Sequence, residues 1–303
     1  FGVHGNHDLL LQGTVPADDD VRSLVVGKRR YTDLAPQQSP MGILEVVPGV
    51  GPARSAHTAG SPTESVMSDP ARQYVEAGDF RRLHTRADRV GPDHSFSALI
   101  TPEVRLLALD TVNPHGGWQG SLSADQLSWM DRLFDETDEP YVIVASHHPS
   151  WNLINGYVPS GVEPRVLGAQ VIESLLDETR VIAWLSGHVH RHAITEHRRE
   201  GRLLPEFTSA SLIDWPQQSR LLEIDRDLDG TLVLTSMAID HGGPASAPRW
   251  DLRDPRQLAG LSRTISRNIP GVREQITRFN QTAVAGQRPA VFGIRVPDAA
   301  LGR

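Results

Sequence analysis

The sequence contains no cysteine and almost no lysine. Without cysteine, disulfides, thiolate metal ligands and a cysteine nucleophile are all excluded. Lys28 is the only lysine among 30 basic residues, and it lies in a polar Gly-Lys-Arg-Arg run, so Schiff-base chemistry is nearly excluded as well. The histidine, asparagine and carboxylate side chains of this chain are therefore its main candidates for metal ligands.

Long apolar runs and an excess of positive charge are also missing. No run of about 18 or more apolar residues occurs, so we predict a soluble chain without a transmembrane segment. The net charge is −7, with acidic and basic residues interspersed, which argues against a nucleic-acid-binding surface. The 303 residues are enough to bury a large core.

Periodic segments are concentrated between residues 94 and 265. A continuous apolar run favours a buried parallel strand, and apolar residues three and four apart favour a helix. Alternating strands and helices followed by a run of strands predict an α/β fold, a layered β-sandwich of mixed sheets flanked by helices. The predicted strands are 96–99, 104–110, 141–145, 181–185, 204–207, 219–225 and 231–239, and the predicted helices are 122–134, 166–176 and one opened by Asp254-Pro255.

Three short segments contain five of the 13 histidines. They are Gly-Asn-His-Asp at 5–8, Ser-His-His-Pro at 146–149 and Gly-His-Val-His at 187–190. The second and third segments directly follow predicted buried strands, and the first is preceded by what we predict to be a strand end. Functional sites of α/β folds gather at the carboxyl ends of strands, so the three segments predict one site.

The residue types in these segments suit a metal centre. Histidine is the commonest nitrogen ligand for borderline metals, and Asn6 offers a neutral carbonyl oxygen. His188 and His190 alternate at period two, so in an extended segment both would face the same side. His7 is adjacent to Asp8, and a His–Asp pair beside a metal suits a general acid.

Simpler interpretations of the same residues stay open. His188 and His190 could be polar residues at a strand end, and Asn6-His7-Asp8 could be an ordinary turn. We predict that His148 supports a ligand or faces the substrate. Arg191 could reach a phosphate or could belong to a solvated surface.

The order of the three segments resembles the signature of the calcineurin-like metallophosphoesterase family. Residues 120–129, with Leu122, Gln126 and Trp129, also resemble a helix of the purple-acid-phosphatase-like members. The long insertion between the first two segments resembles an actinobacterial branch, whose members often carry twin-arginine export signals. The resemblance covers about residues 1–12 and 94–240.

The resemblance implies a phosphoric mono- or diester hydrolase. Two divalent or mixed-valence ions (Mn, Fe or Zn) would activate a bridging hydroxide for attack on a small-molecule or macromolecular phosphoester. His7 would act as transition-state stabiliser or general acid, oriented by Asp8. The implied metal ligands are Asn6, His147 and His188 on one ion and His190 on the other.

One part of the family pattern is absent. The family opens with Asp-x-His and Gly-Asp-x-x-Asp, nothing precedes Phe1 that could supply them, and no Asp-x-His occurs elsewhere in the chain. We therefore expect an N-terminally incomplete catalytic domain over residues 1–243, with an irregular insertion at 13–92 and an extension at 244–303. We expect impaired activity from this chain, and export if an upstream segment carries a signal.

Two alternatives belong to other classes. The chain could be a non-catalytic metal-binding or interaction domain on the same fold, because fold alone does not define function. It could also be another metal hydrolase, such as an amidohydrolase. Amidohydrolases also use a His-x-His pair, but near their first strand, whereas here the pair comes late.

Overall fold

We describe the fold from a computed structural model. The described residues are 1–11, 13–16, 26–27, 29–31, 63–73, 76–84, 86–244, 246–268, 272 and 290–294. Much of the predicted insertion at 13–92 lies outside them, as does part of the predicted extension at 244–303. The chain divides into two compact units, the first comprising residues 1–139 and 144–175, and the second residues 140–143 and 176–303.

The described elements confirm the predicted order and shift most boundaries by one or two residues. The helices are α1 (Asn6–Leu9), α2 (Ala77–His84), α3 (Ala124–Glu136), α4 (Gly168–Asp177) and α5 (Pro255–Ser266). The strands are β1 (Leu10–Leu11), β2 (Val15–Pro16), β3 (Arg29–Tyr31), β4 (Thr63–Ser65), β5 (Arg89–Val90), β6 (Phe96–Thr101), β7 (Val104–Leu109), β8 (Tyr141–Ser146), β9 (Val181–Ser186), β10 (Ala193–Arg199), β11 (Arg202–Thr208), β12 (Ser219–Arg226), β13 (Leu232–Ile239) and β14 (Ala290–Ile294).

The largest sheet has seven strands in the order β10-β11-β9-β8-β7-β6-β5. Its directions are mixed, since β9 and β11 are parallel while β6 and β7 are antiparallel. A second sheet has the order β12-β13-β14, with antiparallel pairs throughout. Mixed sheets with flanking helices confirm the predicted α/β class. Among the described residues, we find no helix that is long and apolar enough to cross a bilayer.

In the first unit, α3 begins at Ala124, two residues after the predicted start, with Ser123 as its N-cap. The hydroxyl of Ser123 accepts a hydrogen bond from the backbone N–H of Gln126, which is the expected N-cap geometry. The buried side chain of Gln126 then bonds both the backbone N–H and the carbonyl of Asp110, each at 2.8 Å. With Met130 and Phe134 also buried, this helix fixes the end of β7, where Asp110 lies.

In the second unit, β11 contributes side chains to both faces of its sheet. The buried carboxylate of Glu206 accepts from Ser186 Oγ at 2.9 Å and lies 3.0 Å from His197 Nε2. The ring of Phe207, one residue on, lies 5.6 Å from that of Phe292 in β14. Strand β11 therefore packs against the three-stranded sheet, as expected of a sandwich.

The chain start differs from the prediction. The sequence predicts a strand end and a turn over residues 1–12, but residues 6–9 form the one-turn helix α1, and β1 pairs with β2 immediately after it. The carboxylate of Asp8 explains the helix, because it accepts from the backbone N–H of Gly5 at 2.7 Å and satisfies a donor at the N-terminus.

Candidate metal centre

The first predicted segment presents its side chains on two sides of α1. Asn6 is buried, whereas His7 and Asp8 are exposed. The contact of Asp8 with Gly5 shapes the helix turn, and its predicted action on His7 stays a prediction. The turn therefore directs a neutral amide inward and an imidazole outward.

The amide of Asn6 is held in one orientation. Its Nδ2 donates to the carbonyl of Gly13 at 2.8 Å, which leaves Oδ1 on the opposite side. That oxygen lies 2.9 Å from His147 Nε2, although the two residues are 141 positions apart in sequence. Two ligand atoms each about 2.1 Å from one ion and at right angles lie about 3 Å apart, so the pair fits a shared metal.

Two glycines leave room for this contact. A Cβ on Gly5 would lie 2.6 Å from His147 Nδ1, and a Cβ on Gly13 would lie 2.7 Å from both Asn6 Nδ2 and His7 Nε2. Gly13 also has φ +74°, a conformation that costs other residues about 1–2 kcal/mol. Glycine is thus needed at 5 for space, and at 13 for both space and backbone conformation.

His147 and His148 follow β8 but differ in their surroundings. His148 is fully buried, with Nδ1 2.8 Å from Thr111 Oγ1 and Nε2 3.0 Å from the carbonyl of Trp118. A carbonyl only accepts, so Nε2 carries the hydrogen and Nδ1 accepts from the hydroxyl. His147 is partly exposed and has its Nε2 beside Asn6. This geometry favours His147 over His148 as the ligand.

A buried acid–base pair lies directly before the first segment. His4 Nε2 is 3.0 Å from Asp110 Oδ1, and both side chains are almost completely buried. Burial alone would raise the pKa of Asp110, but hydrogen bonds with His4 and with the N–H of Val112 outweigh it and lower the pKa. The pair joins the residue before Gly5 to the end of β7. Sequence reasoning missed His4.

The third segment forms a bend after β9, in which His188 has φ +66° and His190 has φ +53°, both left-handed backbone conformations. The period-two argument for a common direction holds only for extended backbone, so it does not apply to these two residues. His190 Nδ1 lies 2.7 Å from Asp214 Oδ2, and Arg191 between the turn and β10 is exposed.

The next histidine along the chain is held neutral. His192 Nδ1 lies 3.3 Å from Arg220 Nη2 and 3.4 Å from the backbone nitrogen of Ala210. Burial, together with the charge of Arg220, lowers the pKa of His192 to about 4. At neutral pH its Nδ1 therefore acts as an acceptor. This ring serves the packing of the second unit.

Each compact unit thus contains part of the predicted ligand set. In the first unit, Asn6 and His147 are in contact; in the second, His188 and His190 share one turn. Sequence reasoning missed the supporting contacts of Gly13 and Asp214. A glycine seven residues after Asn6 is a weak signal, and Asp214 has no spacing that could have connected it to His190.

Asn6 in α1 and His147 directly after β8 thus bring together an amide oxygen and an imidazole nitrogen, both of which suit a metal ion. The model of the calcineurin-like phosphoesterase family matches residues 1–192. The chain belongs to this family, which at its broadest level carries out metal-dependent phosphoester hydrolysis. The match spans all three histidine segments.

Comparisons with curated proteins and with solved structures add little to the family assignment. No match was found among curated proteins. A solved structure of a dimetal phosphatase from Danio rerio is 16% identical in sequence with a TM-score of 0.34, and the match covers 48% of this chain and 60% of that one. The chain therefore spans less than two thirds of the length of that phosphatase.

Proposed function

We propose that this chain is a phosphoester hydrolase with a binuclear metal centre. Asn6, His147 and His188 bind one ion, and His190 binds the other. One contact supports the set most directly, the 2.9 Å approach of His147 Nε2 to Asn6 Oδ1 across 141 residues of sequence. Nitrogen and oxygen ligands without sulfur suit Mn, Fe or Zn.

His7 and Asp8 complete the catalytic set in this proposal. His7 is exposed on the turn that carries Asn6, and its Nε2 is adjacent to Gly13, so the ring has a defined position beside the ligand. It protonates the leaving oxygen or stabilises the transition state, and Asp8 orients it. When bound, the two ions supply an activated water and neutralise charge at phosphorus.

Two nearby residues have supporting roles. His148 fixes the backbone that carries His147 through its bonds to Thr111 and Trp118. Arg191 is exposed next to His190, and its guanidinium suits a phosphate oxygen. With Arg191 in this role, a phosphoester substrate, mono- or diester, would bind on the exposed side of the ligands.

The finer assignments of branch and activity belong to the same proposal. The helix after Ser123 supports the purple-acid-phosphatase-like branch, and residues 1–243 form the catalytic domain. Because the sequence has neither Asp-x-His nor Gly-Asp-x-x-Asp, the carboxylate that bridges the ions in the family is absent from the proposed ligands. We therefore expect low turnover from this chain.

The test measures metal binding and hydrolysis together. The 303-residue chain and its His147→Ala variant are stripped with chelator, reloaded with Mn²⁺, and assayed with p-nitrophenyl phosphate and bis(p-nitrophenyl) phosphate. We expect low hydrolysis that disappears with chelator, returns with Mn²⁺, and is lost in the variant. The relative rates on the two esters then separate monoesterase from diesterase.

Two results would contradict the proposal. Full activity in excess chelator would exclude a metal mechanism. Tight Mn²⁺ binding that requires His147, without hydrolysis of either ester, would favour the non-catalytic metal-binding domain.

A further inference from the structure

We infer that Asp214 is a positioning residue for His190: its carboxylate holds Nδ1–H and leaves Nε2 free to face a metal ion. The inference rests on the proposed function in one respect, which is that His190 is a ligand. Asp214 lies outside residues 187–190 and outside the part of the chain that the family model matches, residues 1–192.

The hydrogen bond determines which nitrogen of His190 can bind a metal. Asp214 Oδ2 is 2.7 Å from His190 Nδ1, and an ionised carboxylate can only accept. The hydrogen of the neutral ring must therefore be on Nδ1, and the lone pair is on Nε2. A carboxylate on the far nitrogen of a metal-binding histidine fixes its tautomer, orients the ring and raises its basicity.

The surroundings of His190 leave few other constraints on its ring. The residue has φ +53° in a turn, and 46% of its side chain is exposed. Packing therefore restrains this imidazole far less than it restrains His148, which is fully buried. A short hydrogen bond to a fixed partner is the main feature here that selects one orientation.

Asp214 is itself well anchored. The hydroxyl of Ser211 accepts from the backbone N–H of Asp214 at 3.1 Å, and the carbonyl of Asp214 accepts from Gln217 N at 2.9 Å. The buried side chain of Gln217 donates to Ser262 Oγ in α5 at 2.8 Å. A continuous set of hydrogen bonds thus connects helix α5 to the His190 ring through Asp214.

The alternative is an ordinary surface ion pair. Exposed ion pairs contribute little to stability. In such a pair, the tautomer of the histidine would be unrelated to metal binding. The two interpretations differ in what happens when the carboxylate is removed. A surface pair predicts unchanged metal affinity, whereas a positioning role predicts a loss that depends on His190.

The experiment uses the full 303-residue chain labelled with ¹⁵N-histidine. Long-range ¹H–¹⁵N spectra of the metal-free chain identify the tautomer of His190, and Mn²⁺ titrations give the affinity. The variants are Asp214→Ala, Asp214→Glu, His190→Ala and the double variant. Asp225→Ala is the matched control, because it removes an exposed carboxylate from the same unit.

We expect the Nδ1–H tautomer in the wild-type chain and its loss in Asp214→Ala. Mn²⁺ affinity should fall about 10–100-fold in that variant, recover in part with Asp214→Glu, and stay unchanged in Asp225→Ala. The double variant should bind no more weakly than His190→Ala alone, since Asp214 acts only through that ring.

Each opposite result has a separate meaning. An Nε2–H tautomer in the wild-type chain, or wild-type affinity in Asp214→Ala alongside a weakened His190→Ala, would overturn the positioning role. Mn²⁺ binding that does not change in His190→Ala would contradict the proposed function instead, and would remove the positioning role with it.

Discussion

The two regions that carry the proposed ligands of this chain present their side chains by different physical means. Asn6 and His147 are held by close packing, with Gly5 and Gly13 leaving room for their side chains and a carbonyl fixing the amide. His188 and His190 lie in a partly exposed turn with positive φ, where one carboxylate holds the second ring. The first region depends on the space that glycine leaves, whereas the second depends on backbone conformation and on the hydrogen bond between His190 and Asp214.

This difference determines which substitutions each region tolerates. In a packed region, an added methyl group displaces a ligand, because dense interiors cannot absorb it. In an exposed turn with positive φ, replacing a residue by glycine relieves backbone strain. Such a substitution removes the side chain of the proposed ligand without disturbing its neighbours.

The largest effect is expected at His7, which is exposed beside Asn6 on α1 and which we propose as a general acid, not a ligand. His7→Ala should lower turnover of a chromogenic phosphoester by roughly 10²–10⁴-fold, the usual contribution of a general acid. Metal content, measured by elemental analysis, should stay near that of the wild-type chain. Loss of the metal would identify His7 as a ligand and enlarge the packed set.

The adjacent histidines after β8 should separate binding from stability. His147→Ala should weaken Mn²⁺ binding by more than about 100-fold, because a lost ligand costs more than a lost supporting residue. His148→Ala should retain binding but lower the free energy of unfolding by about 2–4 kcal/mol, since Thr111 and Trp118 lose buried partners.

Calorimetric metal titration and urea unfolding of both variants measure these two quantities. If the two variants lost metal equally, His148 would have to be counted among the ligands. If neither variant lost metal, His147 would not be a metal ligand.

A pair of glycine substitutions isolates the packing effect. Gly13 and Gly230 both have positive φ, but a Cβ on Gly230 would meet nothing within 4 Å. Gly230→Ala should cost about 1–2 kcal/mol of stability and leave Mn²⁺ affinity unchanged. Gly13→Ala should cost more, about 2–3 kcal/mol, and weaken Mn²⁺ binding as well, because its methyl group displaces the Asn6 amide.

If Gly13→Ala and Gly230→Ala lost the same stability and both kept their Mn²⁺ affinity, the close contacts of Gly13 would not be needed for metal binding. Urea unfolding and Mn²⁺ titration on the same samples decide between the two outcomes.

The smallest effect on stability is expected in the exposed turn that carries His190. His190→Gly removes the proposed ligand, but its effect on stability should be small. The free energy of unfolding should rise by about 1 kcal/mol or less, since glycine adopts φ +53° without penalty. Glu200→Gly is the control, because Glu200 has φ +50° and is exposed. It should gain similar stability without any change in Mn²⁺ affinity.

Thermal unfolding of the metal-free variants tests this contrast. Destabilisation by His190→Gly alone would show that the ring of His190 is held by more than its bond to Asp214.

Local sequence patterns were sufficient for most of the regular elements. The N-cap of α3 at Ser123 and that of α5 at Asp254 follow from residue chemistry within four positions. The buried strands β8 and β9 follow from continuous apolar runs. The helix α1 was missed because its four residues are too few for a periodic pattern, and the bond from Gly5 to Asp8 determines it.

By itself, the sequence determined the class of fold and the three histidine segments, because periodicity and residue type are local properties. Only the tertiary structure decided which atoms meet: Oδ1 of Asn6 with His147, the Gly13 carbonyl with the Asn6 amide, and Asp214 with His190. It also decided the backbone at 188–190, a bend in which His188 and His190 have positive φ. These contacts join residues between 7 and 141 positions apart, and no pattern of that length is visible in a single chain.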